Sequence, residues 1–350
     1  MRIATSVCVA SSPDDVLYPQ LHGLDSDKRA ATYWRCAAVL LASLRRTNPE
    51  AELLLVSDVE VQAAVTPAMS KLLDRLEVTT VRVKFKRFLP PAGASRKFRN
   101  NFYKLDVLGH LAELPDGGSA LLLDSDVISL RSLDGLSEQC GNGLISYYPY
   151  QHSWTDQRSD DLSRILLPLF GDLGSVNYVG GESIGGSAQS LLDLCRTLDV
   201  GYQRAVAIAA TDRLPTVANG DCIFDNDEFL LSGAIARSSN PVREISDLLR
   251  RIHTNTRYFD TRSSDLELTL WHLPGEKVRG FRPVYRAAVD PNSWFWKADD
   301  ESYRTHVGKL MGVPKRPLQK RLGYAATGLL SRLASLRKWH PAERFHLAGR

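Results

Sequence analysis

Short apolar runs alternate with longer segments of helical periodicity along the first 150 residues of this 350-residue chain. The runs RIATSVCV, AELLLVS and EVTTVRVKF have the length and the apolar content of buried strands. Between and after them, apolar side chains recur at three- and four-residue steps, which predicts helices at residues 30–46, 61–76 and 98–111. Strands that alternate with helices are typical of βαβ units, so the pattern predicts an α/β fold.

A further strand, GLISYY, and three helices at residues 160–170, 189–198 and 226–235 complete the predicted core. Residues 209–220 lack a clear period and are expected to be irregular. With 43% hydrophobic content, a chain of this length can bury a substantial core, either as one large domain or as one domain with an appendage.

Two aspartates stand at the end of the apolar run SALLL, in the triplet Asp124-Ser125-Asp126. The chain has three Asp-x-Asp triplets, but only this one ends one apolar strand and precedes another. In an open α/β sheet the carboxyl ends of the strands line the ligand crevice, and paired carboxylates there suit Mn²⁺ or Mg²⁺. The alternative is that one aspartate caps a turn and the other is solvated.

The cysteines and the lengths of the apolar runs indicate in which compartment the protein is expected. The five cysteines are odd in number, scattered and never in a Cys-x-x-Cys pair, which argues against a disulfide framework or a zinc site. The amino-terminal apolar run turns polar after one strand's length, too short for a signal peptide, and no run of 18 apolar residues occurs. We therefore expect a cytoplasmic protein without a membrane-spanning segment.

A glycine-rich block, YVGGESIGGS at residues 178–187, carries its glycines in two pairs. Glycine is used where the backbone bends unusually or approaches a ligand closely. The block is neither a Gly-x-Gly-x-x-Gly motif nor a Walker loop, because no Gly-Lys-Ser/Thr follows. It is consistent with a ligand site and equally with two tight turns at strand ends.

These three features together resemble the metal-dependent, retaining GT-A glycosyltransferases. Family 6 enzymes, which include the histo-blood-group A and B transferases and the α1,3-galactosyltransferases, have an apolar strand ending in Asp-x-Asp. A glycine block that begins with tyrosine and ends in Gly-Gly-Ser comes next, and then an Asp-Glu pair at a helix start. This chain has the same order in Asp124-Ser125-Asp126, residues 178–187 and Asp227-Glu228. Family 8 is also similar, with an aromatic-aromatic-basic-Leu helix that FYKL, residues 102–105, matches.

The resemblance implies a GT-A, Rossmann-like nucleotide-sugar-binding fold, with a single mixed sheet flanked by helices in one domain at residues 1–312. It also implies that Mn²⁺ or Mg²⁺ is held by Asp124 and Asp126 against the diphosphate of a UDP-sugar, which binds beside Lys104. Three residues of the glycine block would contact the same donor: Tyr178, Gly180 and Gly181.

This chain differs from the family 8 motifs at two positions. Family 8 has arginine where this chain has Lys104, which keeps the charge for a phosphate but loses the bidentate fork. Family 8 also has a His-x-x-Gly-x-x-Lys motif that supplies a third metal ligand, whereas HLPGEK places Lys277 one residue early. His272 is therefore either a metal ligand or an aromatic ring packed beside Trp271.

The chemistry expected of such an enzyme requires an anionic group near the anomeric carbon, since the departing sugar passes through an oxocarbenium-like state. In the resemblance, Glu228 takes the place of the family 6 glutamate regarded as nucleophile or electrostatic stabiliser. Asp227 takes the place of a carboxylate that would hydrogen-bond the donor sugar. The alternative is that both are acidic residues favoured at a helix start by the macrodipole.

The carboxy-terminal tail, residues 313–350, differs in charge from the rest of the chain. From residue 315 onward it has nine basic residues and one acidic residue, a net charge of +8. Because the whole chain has a net charge of +4, residues 1–314 have a net charge of −4. Apolar positions between residues 318 and 339 recur at helical steps, which predicts a basic amphipathic helix. Such a helix either contacts a membrane surface peripherally, packs on the body of the protein or closes over the diphosphate.

Taken together, these features predict a hexosyltransferase whose acceptor is a glycan or a lipid-linked molecule. A nucleotidyltransferase would also use paired aspartates and a metal, but its Gly- and Lys/Arg-rich loop after the first strand is absent from VASSPDDVLY. A non-catalytic carbohydrate-binding protein is disfavoured because the acidic pairs are intact. A nucleic-acid partner is not expected, since the tail lacks interleaved aromatic residues and the body is acidic.

Overall fold

The computed structural model describes residues 1–9, 21, 24–94, 98–114, 117–149, 156–211, 214–217, 220–254 and 259–314, with the backbone alone for residues 156–160. Ten strands are described: β1 Arg2–Val7, β2 Glu52–Ser57, β3 Thr79–Arg82, β4 Ser119–Leu123, β5 Val127–Ser129, β6 Leu144–Tyr147, β7 Gly180–Ser187, β8 Val242–Glu244, β9 Leu249–Arg251 and β10 Leu270–His272. Eleven α-helices are described: α1 Ser26–Thr47, α2 Val61–Ala64, α3 Pro67–Arg75, α4 Tyr103–Ala112, α5 Leu136–Gly141, α6 Asp156–Phe170, α7 Ala188–Thr211, α8 Asp227–Arg237, α9 Phe281–Val289, α10 Trp294–Lys297 and α11 Asp300–Met311.

Seven of the strands form a mixed sheet in the order β3-β2-β1-β4-β7-β6-β8. Strands β1 to β4 are parallel to one another, whereas β7 runs antiparallel to both β4 and β6. One apolar cluster packs α1, α3 and α9 on the sheet, and a second packs α4, α6, α7 and α8. The predicted α/β class and the mixed sheet flanked by helices are therefore confirmed, in an arrangement compatible with a Rossmann-like fold.

The chain reverses direction across the sheet between β1 and β4. After β1 it adds β2 and β3 on one side, and it then crosses back to place β4 on the other side of β1. In open α/β sheets the crevice at such a switch point, outside the carboxyl ends of the strands, is where ligands bind. Asp124 and Asp126 directly follow β4 at this position.

A second sheet of three strands, in the order β5-β10-β9, stands beside the first. The prediction of a single sheet was wrong in this respect, because strands of three residues leave too short a period in the sequence to be recognised. Strand β10 pairs antiparallel with β5 and parallel with β9, so His272 lies opposite both Val127 and Arg251. This pairing brings the end of β10 next to the end of β4.

Several predicted elements have different bounds in the structure. The helix expected at residues 61–76 is two helices, because Pro67 begins α3 and Thr66 caps it by accepting a hydrogen bond from Met69 N at 3.3 Å. Helix α7 runs to Thr211, so residues 209–211 are helical and not irregular. The glycine block, including both glycine pairs, forms the continuous strand β7 near the middle of the sheet.

The predicted tail lies, apart from Val313 and Pro314, outside the described residues. Among the helices that the structure describes, none combines the length and the apolar character needed to cross a bilayer.

Candidate functional site

A cleft opens at the carboxyl ends of β1 and β4. Its walls come from four parts of the chain: Ser6 to Cys8 at the end of β1, Tyr33 on α1, the segment from Phe98 to Lys104, and Asp124 to Asp126 after β4. Lys277, which follows β10, completes the lining. The predicted metal-binding aspartates thus lie in a concave site at the topological switch point.

Asp124, Asp126 and His272 each offer one possible metal-ligating atom, and these atoms all lie within 4.8 Å of one another. The pairing of β10 with β5 positions the histidine, because Leu273 N donates to Asp126 O at 3.0 Å beyond the last paired residues. His272 Nε2 lies 3.0 Å from Asp126 Oδ2. These three buried or half-buried groups could hold a metal ion.

Lys104 connects the aspartate end of β4 with the start of α8. Its Nζ donates to Asp124 Oδ1 at 2.8 Å and to the backbone oxygen of Gly181 at 3.0 Å. The same ammonium lies 3.3 Å from Asp227 Oδ2, close enough for an ion pair but poorly aligned for a hydrogen bond. Burial on its own would lower the pKa of Lys104, but Asp124 and Asp227 raise it, so the side chain is held as a cation.

The glycines of β7 make room for this ammonium. A Cβ on Gly181 would lie 2.7 Å from Lys104 Nζ and 3.1 Å from Asp227 Oδ2. A Cβ on Gly180 would meet the ring of Tyr147 at 2.8 Å and would collide with the carboxylate of Glu182. Both residues therefore have to be glycine if the charged side chains are to pack against the strand.

Asp227 is a completely buried carboxylate at the start of α8. Its side chain is 0% exposed, and within the described part of the chain neither of its oxygens accepts a hydrogen bond. Burial is the main cause that raises its pKa, to about 7, with the nearby charges of Glu228 and Asp124 adding to the effect against the opposing pull of Lys104. A contact between Asp227 and a substrate would require Lys104 to move.

Glu228 lies in the first turn of α8 and accepts several hydrogen bonds. Asn226 caps the helix by accepting from Glu228 N at 3.1 Å, which fixes the start of α8 beside β7. Glu228 Oε1 accepts from Gly181 N at 3.0 Å and from Arg251 Nη2 at 2.5 Å, and Oε2 accepts from Asn226 Nδ2 at 3.1 Å and from the Tyr178 hydroxyl. Burial would raise the pKa of Glu228, but Arg251 and the other donors lower it, so the carboxylate is ionised.

Arg251 and Glu182 join Glu228 to His272. Glu182 is completely buried in β7, and its Oε1 accepts from Arg251 Nε and lies 2.8 Å from His272 Nδ1. Arg251 and His272 are neighbours because β9 and β10 pair in parallel register. Burial opposes ionisation of Glu182, yet Arg251 and His272 lower its pKa. A proton on His272 Nδ1 that is donated to Glu182 leaves Nε2 available as a ligand.

The charges of this network do not balance with fixed groups alone. Among the described residues it contains five carboxylates, those of Asp124, Asp126, Glu182, Asp227 and Glu228. It contains three permanent cations, those of Lys104, Arg251 and Lys277, together with the His272 imidazole. Burial would lower the pKa of His272, but Asp126 and Glu182 raise it to about 9. With His272 protonated and all five carboxylates ionised, one negative charge remains in excess. A divalent cation that takes the place of the His272 proton would balance the five carboxylates together with the three fixed cations.

All the residues predicted from the sequence therefore meet in one place. Lys104, Asp124 and Asp126 line the cleft. The other predicted residues do not line it but are joined to these three through the contacts described above: Tyr178, Gly180, Gly181, Asp227, Glu228 and His272. Sequence reasoning missed Glu182 and Arg251 as members of the site. The one signal in the sequence was a glutamate inside a glycine-rich strand, where a charged side chain is costly unless it is paired.

No protein-family model matches this chain, and no curated protein has a matching sequence.

Proposed function

We propose that this protein is a metal-dependent glycosyltransferase of the GT-A type that moves a hexose from a UDP-sugar to a glycan or lipid-linked acceptor with retention of configuration. The observation that carries the proposal is the convergence of Asp124, Asp126 and His272 at the switch-point cleft, with Lys104 and Lys277 beside them. Two carboxylates, an imidazole and two ammonium groups are suited to a divalent cation and a diphosphate in one site.

The donor set favours Mn²⁺ over Mg²⁺. Carboxylates suit both ions, but Mg²⁺ prefers oxygen ligands, whereas Mn²⁺ accepts an imidazole nitrogen more readily. With a neutral His272 as ligand and all five carboxylates ionised, the network carries two excess negative charges, which fits a divalent ion. Asp124, Asp126 and His272 would hold it, with Glu182 orienting the histidine through Nδ1.

When bound, the metal would neutralise negative charge on the departing nucleotide. Lys104 and Lys277, which line the same cleft, would add positive charge where a diphosphate lies. Glu228 would supply negative charge near the anomeric carbon, and Arg251 and Tyr178 would keep its carboxylate ionised and oriented. Asp227 would act through Lys104, by holding its ammonium between β4 and α8.

The direct test is to incubate purified protein with a panel of nucleotide sugars and Mn²⁺ and to follow UDP release. We expect one UDP-hexose to be consumed, with the activity lost after chelation and in Asp126→Ala. An Asp74→Ala variant, altered at an exposed aspartate on α3, should retain it. Release of pyrophosphate from a nucleoside triphosphate and a sugar phosphate would instead identify a nucleotidyltransferase.

The stereochemical part of the proposal is tested by NMR of the product. A product with the anomeric configuration of the donor supports retention. An inverted product would contradict the likeness to families 6 and 8, even if transfer itself occurs.

A further inference from the structure

Two positively charged or proton-carrying groups compete for a single oxygen of Asp126. Lys277 Nζ contacts Asp126 Oδ2, and His272 Nε2 lies 3.0 Å from the same oxygen. The side chains of Lys277 and His272 are each 8% exposed, and that of Asp126 is 4% exposed. The ammonium therefore sits at the atom that a metal shared by Asp126 and His272 would take as its ligand.

An ammonium and a divalent cation cannot both occupy this position. Like charges a few ångströms apart in a buried site repel strongly, because little water is present to screen them. Removing Lys277 without a replacement would leave His272 as the one remaining side-chain partner of Asp126 among the described residues, and weakening the pairing of a buried carboxylate is costly. Lys277 thus serves as the counter-cation of Asp126 when no metal is bound.

The backbone of Lys277 packs next to α1, while its side chain lines the cleft. Its backbone oxygen accepts a weak hydrogen bond from Cys36 Sγ at 3.9 Å, within the packed interior next to α1. Its side chain reaches along the ring of Tyr33, with Nζ 5.5 Å from the ring centroid, and lines the cleft. Lysine has four rotatable side-chain bonds and a compact ammonium, so it can exchange one anionic partner for another.

We infer that Lys277 occupies the metal position of Asp126 until a diphosphate enters the cleft, and that it then transfers to the diphosphate and lets the metal bind. This inference rests on the proposed metal site and adds a rule for its occupation: metal and nucleotide diphosphate bind together better than either binds alone. The metal and Lys277 exchange places on one carboxylate: the Lys277–Asp126 hydrogen bond is replaced by a metal–carboxylate bond, and no covalent bond changes.

The inference is tested by titrating Mn²⁺ alone into the full chain and following free Mn²⁺ by electron paramagnetic resonance. Lys277→Met removes the competing charge and keeps most of the side-chain volume. We expect it to bind Mn²⁺ about tenfold more tightly than the wild type, a coupling of ordinary size for neighbouring sites. Lys277→Arg, which keeps the charge, and Lys309→Met, at an exposed position on α11, should show no gain.

The same titration with UDP present measures the coupling between the two ligands. UDP should raise the Mn²⁺ affinity of the wild type by a larger factor than that of Lys277→Met, because only the wild type has an ammonium to displace. Unchanged or weaker Mn²⁺ binding by Lys277→Met would overturn the inference. If that variant does not fold, as judged by circular dichroism, Lys277→Gln replaces it under the same criterion.

These outcomes are separate from those that test the proposed function. Mn²⁺ binding that strengthens in Lys277→Met supports the exchange even if no nucleotide sugar is turned over. Glycosyl transfer in a protein whose Lys277→Met variant gains no affinity would support the function and refute the exchange.

Discussion

The strongest test of the site's electrostatics is the replacement Asp227→Asn. The wild-type carboxylate is 0% exposed, and neither oxygen accepts a hydrogen bond within the described part of the chain. Asparagine has nearly the same shape and removes the charge. Lys104 keeps its bonds to Asp124 Oδ1 and Gly181 O, so the substitution leaves that ammonium paired. We therefore expect Asp227→Asn to stabilise the protein above neutral pH.

The size and the pH range of the effect follow from the raised pKa. Folding raises the pKa of Asp227 from its usual 3.8 to about 7, so between these values the folded state binds a proton that the unfolded state has lost. The contribution of this group to the unfolding free energy therefore falls as the pH rises from about 4 to 7 and is constant above that range. At about 1.4 kcal/mol per pKa unit, the loss has an upper limit on the order of 4 kcal/mol.

Urea denaturation at several pH values between 4 and 8.5 measures the difference, and urea is preferable because it does not screen charges. The gain of Asp227→Asn over the wild type should be near zero at pH 4, should rise between pH 4 and 7 and should reach a plateau of about 2–4 kcal/mol. A variant that is equally stable or less stable than the wild type at pH 8 would refute the reasoning.

A matched variant at the other end of the network should have the opposite sign. Glu182 is as deeply buried as Asp227, but its Oε1 is bound by Arg251 and His272, which lower its pKa. Glu182→Gln removes one partner of a buried ion pair, and such changes cost about 3–5 kcal/mol. If both variants shift stability in the same direction at pH 8, the assigned pairing is wrong.

Three further predictions concern the cleft and the tail. Glu228→Gln should keep donor affinity but lower kcat about 10²-fold, because it removes a charge that acts mainly in the transition state; a near-native kcat would contradict this. Gly181→Ala should weaken Mn²⁺ and UDP binding in calorimetry by displacing Lys104, whereas Gly186→Ala, whose Cβ would lie 2.7 Å from a backbone oxygen, should chiefly lower stability. Full-length protein, but not a chain ending at Pro314, should float with anionic liposomes at low salt and dissociate as salt rises.

The sequence predicted the helices and strands whose apolar pattern matches the side of the element that is buried in the structure. Helix α1 was expected at residues 30–46 and begins slightly earlier, at Ser26, because Asp25 caps it by accepting from Lys28 N at 2.8 Å. This cap also accounts for one of the other Asp-x-Asp triplets. Strand β4, which ends just before Asp124, was recognisable by its continuous apolar run, as expected of a strand that lies between two neighbours in the sheet.

The rest of the site depends on long-range pairing that no local pattern records. His272 remained ambiguous because the spacing of HLPGEK does not reveal that β10 pairs with β5. The two strands begin 143 residues apart in the sequence, at Val127 and Leu270. Arg251 could not be assigned because its strand has three residues, of which two are arginine. Its function depends on Glu182 and Glu228, which reach it only after β7, α8 and β9 have packed together.

The order of charged residues along the chain has a consequence for how the protein is made. A ribosome releases the five carboxylates of the network, from Asp124 to Glu228, together with a single early cation, Lys104. The remaining positive groups, Arg251, His272 and Lys277, emerge afterwards. Since unpaired carboxylates are costly to bury, we expect the nascent chain to keep this region open until Arg251, His272 and Lys277 have been synthesised.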